Sequence, residues 1–310
     1  MKIIPINIFL FLAASFGFAQ TTPQPLPQAL PDIPAWVAPT PRVKAKTPFA
    51  PKPSSGNNIF KGESEKWLSD AVIKLEAGVL QPIKDTAVSD YISKVGINLV
   101  YYSANTDLHY EFIVLDNESE NAMCIGAGRI YINIGMLKAV KTEDELAGII
   151  AHEIGHNVFG HLPKTVTRQL FWMKGITKIS SPHEAETALD SLNKAYQKDQ
   201  FAQFGEQLLG FARNDELAAD KAGFYNMYKA GYNPEFFKNF LRRDVRRSKE
   251  ELGEDYDSMQ FLIFLLGDHP PSSQRLTAIK WESNWIKMPP KDEQYKNTAF
   301  DAMKIRVSKM

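Results

Sequence analysis

The spacing of apolar residues divides the folded part of the chain into a first portion that contains strands and a second portion that is helical. Apolar residues recur at helical spacing over 66–80 and 86–102. Two short segments rich in β-branched and aromatic residues follow, 110–115 and 129–134, and the second comes directly after the glycine-containing turn 126–128. The later part of the chain has a helical pattern, with breaks at 180–182, 231–234, 267–271 and 288–290. This order predicts an α+β fold, mostly helical with a small mixed β-sheet.

The N-terminal residues lack the pattern of a packed domain. Lys2 is followed by an apolar run over 3–18 with small residues at its end, which predicts a signal peptide over 1–19. An uncleaved membrane anchor is the alternative, although the run is short for a full span. Residues 20–58 are dominated by proline and indicate a disordered, extended tether. The folded domain is therefore expected over 59–310, in a protein that is exported to the periplasm or secreted.

Composition and charge exclude several classes of function. The chain has 310 residues, 44% of them hydrophobic, which suffices for one sizeable core. Its 36 basic and 36 acidic residues balance, so no domain-wide positive charge favours a nucleic-acid partner. No stretch after the N-terminal run has the length of a membrane span, so we expect no integral membrane domain in the mature chain. Cys124 is the single cysteine, which excludes an internal disulfide.

The candidate chemistry lies in the H-E-x-x-H pattern at 152–156, within a helical stretch. Two histidines four residues apart share one helical face and can hold one metal ion, and the glutamate beside the first can act as general base. Thr142 and Glu145 form a capping box that predicts where this helix begins, and Pro163 is expected to end it. A solvated polar helix face is the alternative interpretation, which the apolar flanking residues disfavour.

A catalytic zinc site takes three protein ligands, so a third must come from elsewhere in the chain. The metzincin pattern H-E-x-x-H-x-x-G-x-x-H is excluded, because Phe159 and Leu162 occupy the positions that require glycine and histidine. His161 is out of register by one residue and is expected to pack or hydrogen-bond at the helix end. Glu216 and Asp220 lie four residues apart on a predicted helix with small neighbours. Glu216 can therefore ligate the metal while Asp220 accepts the N–H of a ligating histidine.

Further motifs follow one another along the chain. They are N-A-M within 116–123, the strand and turn of 128–137, E-L-A-G-I-I-A-H-E-I-G-H at 145–156, R-N-D-E-L-A-A-D at 213–220, A-G-Y-N-P at 230–234 and H-P-P-S-S-Q-R within 268–275. This ordered set resembles the M48 family of zinc endopeptidases, a gluzincin group that includes HtpX, CAAX-prenyl and Oma-type proteases. The resemblance covers roughly 59–285 and is strongest to the soluble periplasmic branch, without the tetratricopeptide domain of some members. The sequence departs from the family pattern at the 126–128 turn, at Met123 and at Ala218.

The resemblance implies a zincin-like fold and one Zn²⁺ per chain, with His152, His156 and Glu216 as its ligands. Glu153 would take a proton from the nucleophilic water and later pass it to the leaving amine. His269 would donate a hydrogen bond to the developing oxyanion, or else occupy the fourth zinc position in a resting state.

Supporting and substrate-binding residues also follow from the resemblance. Arg275 would anchor the loop of His269 or a carboxylate of the site. The strand over 129–134 is expected at the sheet edge, where its free backbone would line the active-site cleft and pair with an extended polypeptide. The substrate-binding residues would be Asn121, Ala122, Arg129, Ile130, Tyr131 and Ile132.

These features together predict a zinc endopeptidase that acts on unfolded or damaged envelope polypeptides, since pairing with a substrate backbone is largely independent of sequence. One alternative is a non-proteolytic, zinc-containing chaperone or assembly factor of the cell envelope. Glu153 distinguishes the two, because degenerate relatives that keep zinc for structure usually lose the general base. A zinc hydrolase that does not act on peptides is a third interpretation.

Overall fold

The computed structural model describes residues 58–78, 80–104, 108–196, 205–252, 273–283 and 297–310. The predicted signal peptide, all but the last residue of the predicted tether, and His269 lie outside these ranges. Within them, no helix combines the length and the apolar character needed to cross a membrane. In chain order the elements are α1 (Glu63–Leu75), α2 (Thr86–Tyr101), β1 (Glu111–Leu115), β2 (Ala122–Cys124), β3 (Arg129–Asn133), α3 (Ile134–Ala139), α4 (Glu143–Phe159), α5 (His161–Lys174), α6 (Pro182–Tyr196), α7 (Gly205–Lys229), α8 (Pro234–Leu252), α9 (Ser273–Ser283) and α10 (Thr298–Val307).

The described residues form one small mixed sheet in the order β1-β3-β2, surrounded by helices. Strand β3 runs parallel to β1 and antiparallel to β2. Its side chains alternate between two apolar clusters: Ile130 and Ile132 join the cluster formed with α2, α4 and α8, and Tyr131 joins the cluster formed with α1, α5 and α6. The predicted α+β fold, mostly helical with a small mixed sheet, is confirmed.

The prediction that the strand over 129–134 lies at the sheet edge is wrong. Residues Arg129, Ile130, Tyr131 and Ile132 all pair with β1, and the last three also pair with β2 on the other side. Their backbone is therefore used within the sheet and is not available to a substrate. The two edges of the sheet are instead formed by β1 and β2, and β2 begins at Ala122. A strand of three residues is too short for an alternating pattern to reveal it.

Helix α4, which carries the H-E-x-x-H pattern, begins as predicted and ends earlier. The Thr142 hydroxyl accepts a hydrogen bond from the Glu145 N–H (3.2 Å), and the Glu145 carboxylate accepts one from the Lys141 N–H (2.8 Å). The helix ends at Gly160, which has left-handed φ and ψ of 60° and 47°. Pro163, predicted to stop the helix, lies in the first turn of α5, where its missing N–H is not needed. A glycine three residues earlier therefore ends the helix.

Close packing of α4 against α7 positions the candidate metal-binding residues. A methyl group on Gly155 would lie 2.9 Å from the carbonyl oxygen of Ala219, and one on Gly223 would lie 3.0 Å from the backbone nitrogen of His152. Real Cβ atoms essentially never come as close as the first distance, and they seldom come as close as the second. The two helices therefore touch through backbone at both points, which brings the side chains of α7 beside those of the motif.

We expect Gly155→Val to destabilise the protein by about 1–3 kcal/mol, because the added carbons cannot fit without separating α4 from α7. Urea unfolding of the metal-free protein measures this change. The matched control is Gly78→Val, since a Cβ at Gly78 has no neighbouring atom within 4 Å. Equal unfolding midpoints for the two variants would show that the helices do not depend on this contact.

Candidate metal centre

The residues of the H-E-x-x-H pattern lie on successive turns of a helix that is buried along almost its whole length. His152 is 3% exposed and Glu153 is 1% exposed, while His156 is half-buried. Leu146, Ile150 and Ile154 anchor the helix in the larger apolar cluster. The alternative of a solvated polar helix face does not fit this burial. A rigid, buried helix holds its side chains at fixed distances, as a metal site requires.

The three predicted metal ligands come together between α4 and α7. The Nε2 atoms of His152 and His156 are 3.0 Å apart. The Glu216 carboxylate lies 3.4 Å from the first of these nitrogens and 3.2 Å from the second. One ligand atom from each residue lies within 4.8 Å of the others, so the group could hold a metal ion. Two imidazole nitrogens and one carboxylate oxygen are a donor set of catalytic zinc sites, in which the fourth position is left for water.

A buried carboxylate and a buried guanidinium support the first histidine. Asp220 Oδ1 lies 2.8 Å from His152 Nδ1, which turns Nε2 toward the other two ligands. Arg275 donates from Nε and Nη2 to the two oxygens of Asp220, each at 2.6 Å, and its Nη1 lies 3.4 Å from Glu216. Arg275 Nη2 also lies 3.4 Å from His152 Nδ1, so these contacts of Arg275 are with two carboxylates and one histidine of the site.

The charges of this group determine its protonation. Burial alone would raise the pKa of Asp220, but Arg275 and His152 outweigh burial and lower it to about 2. Burial and the Arg275 charge oppose protonation of His152, yet the carboxylates of Asp220 and Glu216 outweigh them and raise its pKa. Asp220 therefore stays ionised, and its negative charge favours a cation at the neighbouring ligand atoms.

The second histidine has a different support, which sequence reasoning missed. His161 Nδ1 lies 2.9 Å from His156 Nδ1, and His161 Nε2 lies 3.5 Å from Asp215. Arg168 in turn lies 3.3 Å from the other oxygen of Asp215. Burial and the nearby His156 lower the pKa of His161 to about 2, so this imidazole is neutral. The expectation that His161 hydrogen-bonds at the helix end holds, but the partner is a candidate metal ligand.

Asn157 connects the motif helix to the sheet. Its side-chain oxygen accepts a hydrogen bond from the Gly128 N–H (3.0 Å), and its amide donates to the Tyr110 hydroxyl (3.0 Å). The thiol of Cys124, on β2, lies 3.7 Å from the same oxygen. Burial raises the pKa of this thiol. Glu153 lies one helical turn before Asn157 and shares its face of α4, so β2 and the candidate general base lie on the same side of that helix.

The predicted substrate-binding residues fall in two groups. Asn121 and Ala122 lie at the start of β2, where the Asn121 carbonyl accepts a hydrogen bond from the Asn133 N–H at 3.0 Å. Strand β2 packs against α4. The other four lie in β3, in the middle of the sheet. The structure therefore brings the first two beside the motif helix and removes the backbone of the other four from any cleft.

We expect Asp220→Asn to reduce the free energy of unfolding by about 3–5 kcal/mol, because it leaves Arg275 buried without its paired carboxylate. Urea unfolding of the metal-free protein isolates this effect from metal binding. Asp190→Asn is the matched control, since Asp190 pairs with Lys194 on the surface of α6, where such pairs contribute little. Similar losses in both variants would mean that the buried pair is not needed for folding.

Comparison with known proteins gives one matching family and several relatives. The chain matches the model of Peptidase family M48 over residues 87–283. It is 23% identical over 243 residues to the beta-barrel assembly-enhancing protease of Escherichia coli strain K12, covering 76% of this chain and 46% of that protein. It is 26% identical over 190 residues to the mitochondrial metalloendopeptidase OMA1 of Schizosaccharomyces pombe, covering 61% and 51%. With metalloprotease YcaL of Escherichia coli strain K12 it shares 24% identity over 242 residues, covering 73% and 85%.

The chain spans about half the length of the first two of these relatives. The family match includes the whole of α4 and α7 and all of α9, and therefore every residue of the metal centre described above. Because this match covers more than half of the chain, the protein belongs to Peptidase family M48.

Proposed function

We propose that this protein is a zinc-dependent endopeptidase that cleaves unfolded or misassembled polypeptides of the cell envelope. The observation that carries the proposal is the convergence of His152, His156 and Glu216 on one point, with Glu153 on the same helix. The names of the relatives support the enzyme class, since one is a metalloendopeptidase and another a metalloprotease. The apolar N-terminal run supports export.

His152, His156 and Glu216 would hold one zinc ion. A zinc ion bound there would supply Lewis acidity, which activates water and polarises the scissile carbonyl. Asp220 holds the Nδ1 side of His152, so that Nε2 presents its lone pair to the site. Glu153 accepts a proton from the attacking water and delivers it to the nitrogen of the leaving amine. His269 is proposed, on the family resemblance alone, to stabilise the oxyanion.

The edge strand β2 supports a preference for extended substrates. Among the described residues no other strand pairs with its outer edge, while its inner edge is bonded to β3. We infer that a substrate segment adds to this edge by main-chain hydrogen bonds, with Asn121 and Ala122 nearest the scissile bond. A folded protein seldom offers a free extended segment, so unfolded or misassembled polypeptides are the proposed substrates.

The three proposed zinc ligands can be tested directly. We expect purified wild-type protein to contain about one zinc per chain, and His152→Ala, His156→Ala and Glu216→Ala each to lose it, because two ligands bind zinc far more weakly than three. Elemental analysis after gel filtration measures the content. His183→Ala is the matched control, since His183 is exposed on α6. Full occupancy in Glu216→Ala would remove that residue from the ligand set.

The general base is tested by separating metal binding from turnover. We expect Glu153→Gln to keep its zinc and its fold but to cleave denatured casein about 10²–10⁴-fold more slowly, because an amide cannot accept the proton. The exposed Glu63→Gln variant is the control, and a chelator should abolish the wild-type activity. Near wild-type turnover in Glu153→Gln would reject the mechanism. A wild-type protein that binds zinc but cleaves no polypeptide would favour the chaperone alternative.

A further inference from the structure

The two histidines of the metal centre are held by different groups. Asp220 receives the Nδ1 side of His152 directly, at 2.8 Å. On the Nδ1 side of His156, at 2.9 Å, there is another imidazole, that of His161. When Nε2 of His156 faces the ligand cluster as an electron-pair donor, its proton resides on Nδ1 and needs an acceptor. His161 Nδ1 is placed to be that acceptor.

The same geometry determines where the proton of His161 lies. If His161 accepts at Nδ1, its own proton lies on Nε2, which is the nitrogen that faces Asp215 Oδ1 at 3.5 Å. Asp215 Oδ2 is in turn 3.3 Å from Arg168 Nη2. His156, His161, Asp215 and Arg168 thus form a series in which the two imidazole N–H groups point away from the metal centre and Asp215 also accepts a hydrogen bond from Arg168.

The fold holds this series in place. The left-handed Gly160 ends α4 and starts α5, which returns His161 to the side of His156. The Phe159 ring stacks on the His161 ring, with centroids 5.4 Å apart and planes 18° apart. His161 is only 6% exposed, so water competes little for its nitrogens. Asp215 directly precedes Glu216 on α7, so one turn of that helix supplies both a metal ligand and the anchor of another ligand.

We propose that His161, supported by Asp215 and Arg168, is a positioning residue that fixes the tautomer and the ring orientation of His156. This inference rests on the proposed ligation of zinc by His156. In this chain the motif would therefore extend functionally to H-E-x-x-H-x-x-x-x-H. The fifth position after the second histidine does not bind the metal but orients a residue that does.

Zinc affinity tests the proposal independently of catalysis. We expect His161→Phe, which keeps a flat ring beside Phe159 but has no acceptor, to raise the zinc dissociation constant about 10–100-fold in a chelator competition. His161→Asn should recover part of the affinity, because its side-chain oxygen can replace the Nδ1 acceptor. The visible spectrum of the cobalt-substituted protein should change in His161→Phe and return toward the wild-type shape in His161→Asn.

Two further variants separate positioning from a general loss of stability. Thr167→Val removes buried hydrogen bonds of the same helix, with Ile59 and Pro163. Thr167 is not one of the four residues that connect His156 to Arg168, so this variant should leave zinc affinity unchanged. Asp215→Asn should weaken zinc binding less than His161→Phe does. The double variant should bind zinc no more weakly than His161→Phe alone, because Asp215 acts through His161.

The outcomes distinguish this inference from the proposed function. A wild-type protein that takes up no zinc would overturn both. A wild-type protein that binds zinc, with an unchanged dissociation constant and cobalt spectrum in His161→Phe, would overturn only the positioning role. Equal loss of affinity in Thr167→Val and His161→Phe would assign the effect to helix stability and also overturn it. If the losses of zinc affinity in Asp215→Asn and His161→Phe were additive in the double variant, Asp215 would not act through His161, and this part of the proposal would be rejected.

Discussion

The backbone contact between α4 and α7 is the constraint on which the rest of the site depends. At Gly155 and Gly223 the two helices approach so closely that an added methyl group would lie 2.9 Å and 3.0 Å from backbone atoms of the other helix. A separation larger by one side chain would move Glu216 away from His152 and His156, with which it now lies at 3.2–3.4 Å. Small residues at a helix crossing thus determine whether three distant residues form one ligand set.

Such close packing also brings charge into the apolar core. Asp220 is fully buried and Arg275 is 4% exposed, which would cost several kcal/mol for either group alone. The bidentate pair between them offsets this cost. Glu216 adds a second carboxylate against the same guanidinium, so two carboxylates share one arginine. A divalent cation at the ligand atoms would be the largest local charge of such a cluster and would attract both carboxylates.

Three connections relate the metal centre to the surrounding fold. Asn157 joins the motif helix to the turn before β3 and lies beside Cys124 on β2. These contacts hold β2, the strand proposed to bind substrate, in a fixed position relative to the helix that carries Glu153. Arg275 reaches in from α9, and His161 from α5, each to support one of the two histidines. Every side chain that would ligate zinc is thus held by a partner from another element. Preorganisation of this kind keeps reacting groups in place without a cost at the moment of reaction.

What the sequence determined by itself is local in origin. The start of α4 follows from hydrogen bonds between residues three or four apart, Thr142 with Glu145 and Glu145 with Lys141. Side chains four apart on one helix share a face wherever that helix lies, so the pairing of His152 with His156, and of Glu216 with Asp220, could be predicted before any fold was known. The α+β class followed equally from the order of strand and helix patterns.

Only the tertiary structure decided which elements lie side by side. The residues of β3 predict a strand but carry no information on its neighbours, so strand pairing decided its central position and the edge position of β2. His161 is out of register by one residue with the metzincin pattern, so the sequence predicts only that it packs or hydrogen-bonds at the helix end. A left-handed glycine between the two helices returns it to His156, and Asp215 reaches it from a helix far along the chain. Contacts of this kind depend on how separate elements pack, and periodicity along one segment cannot specify them.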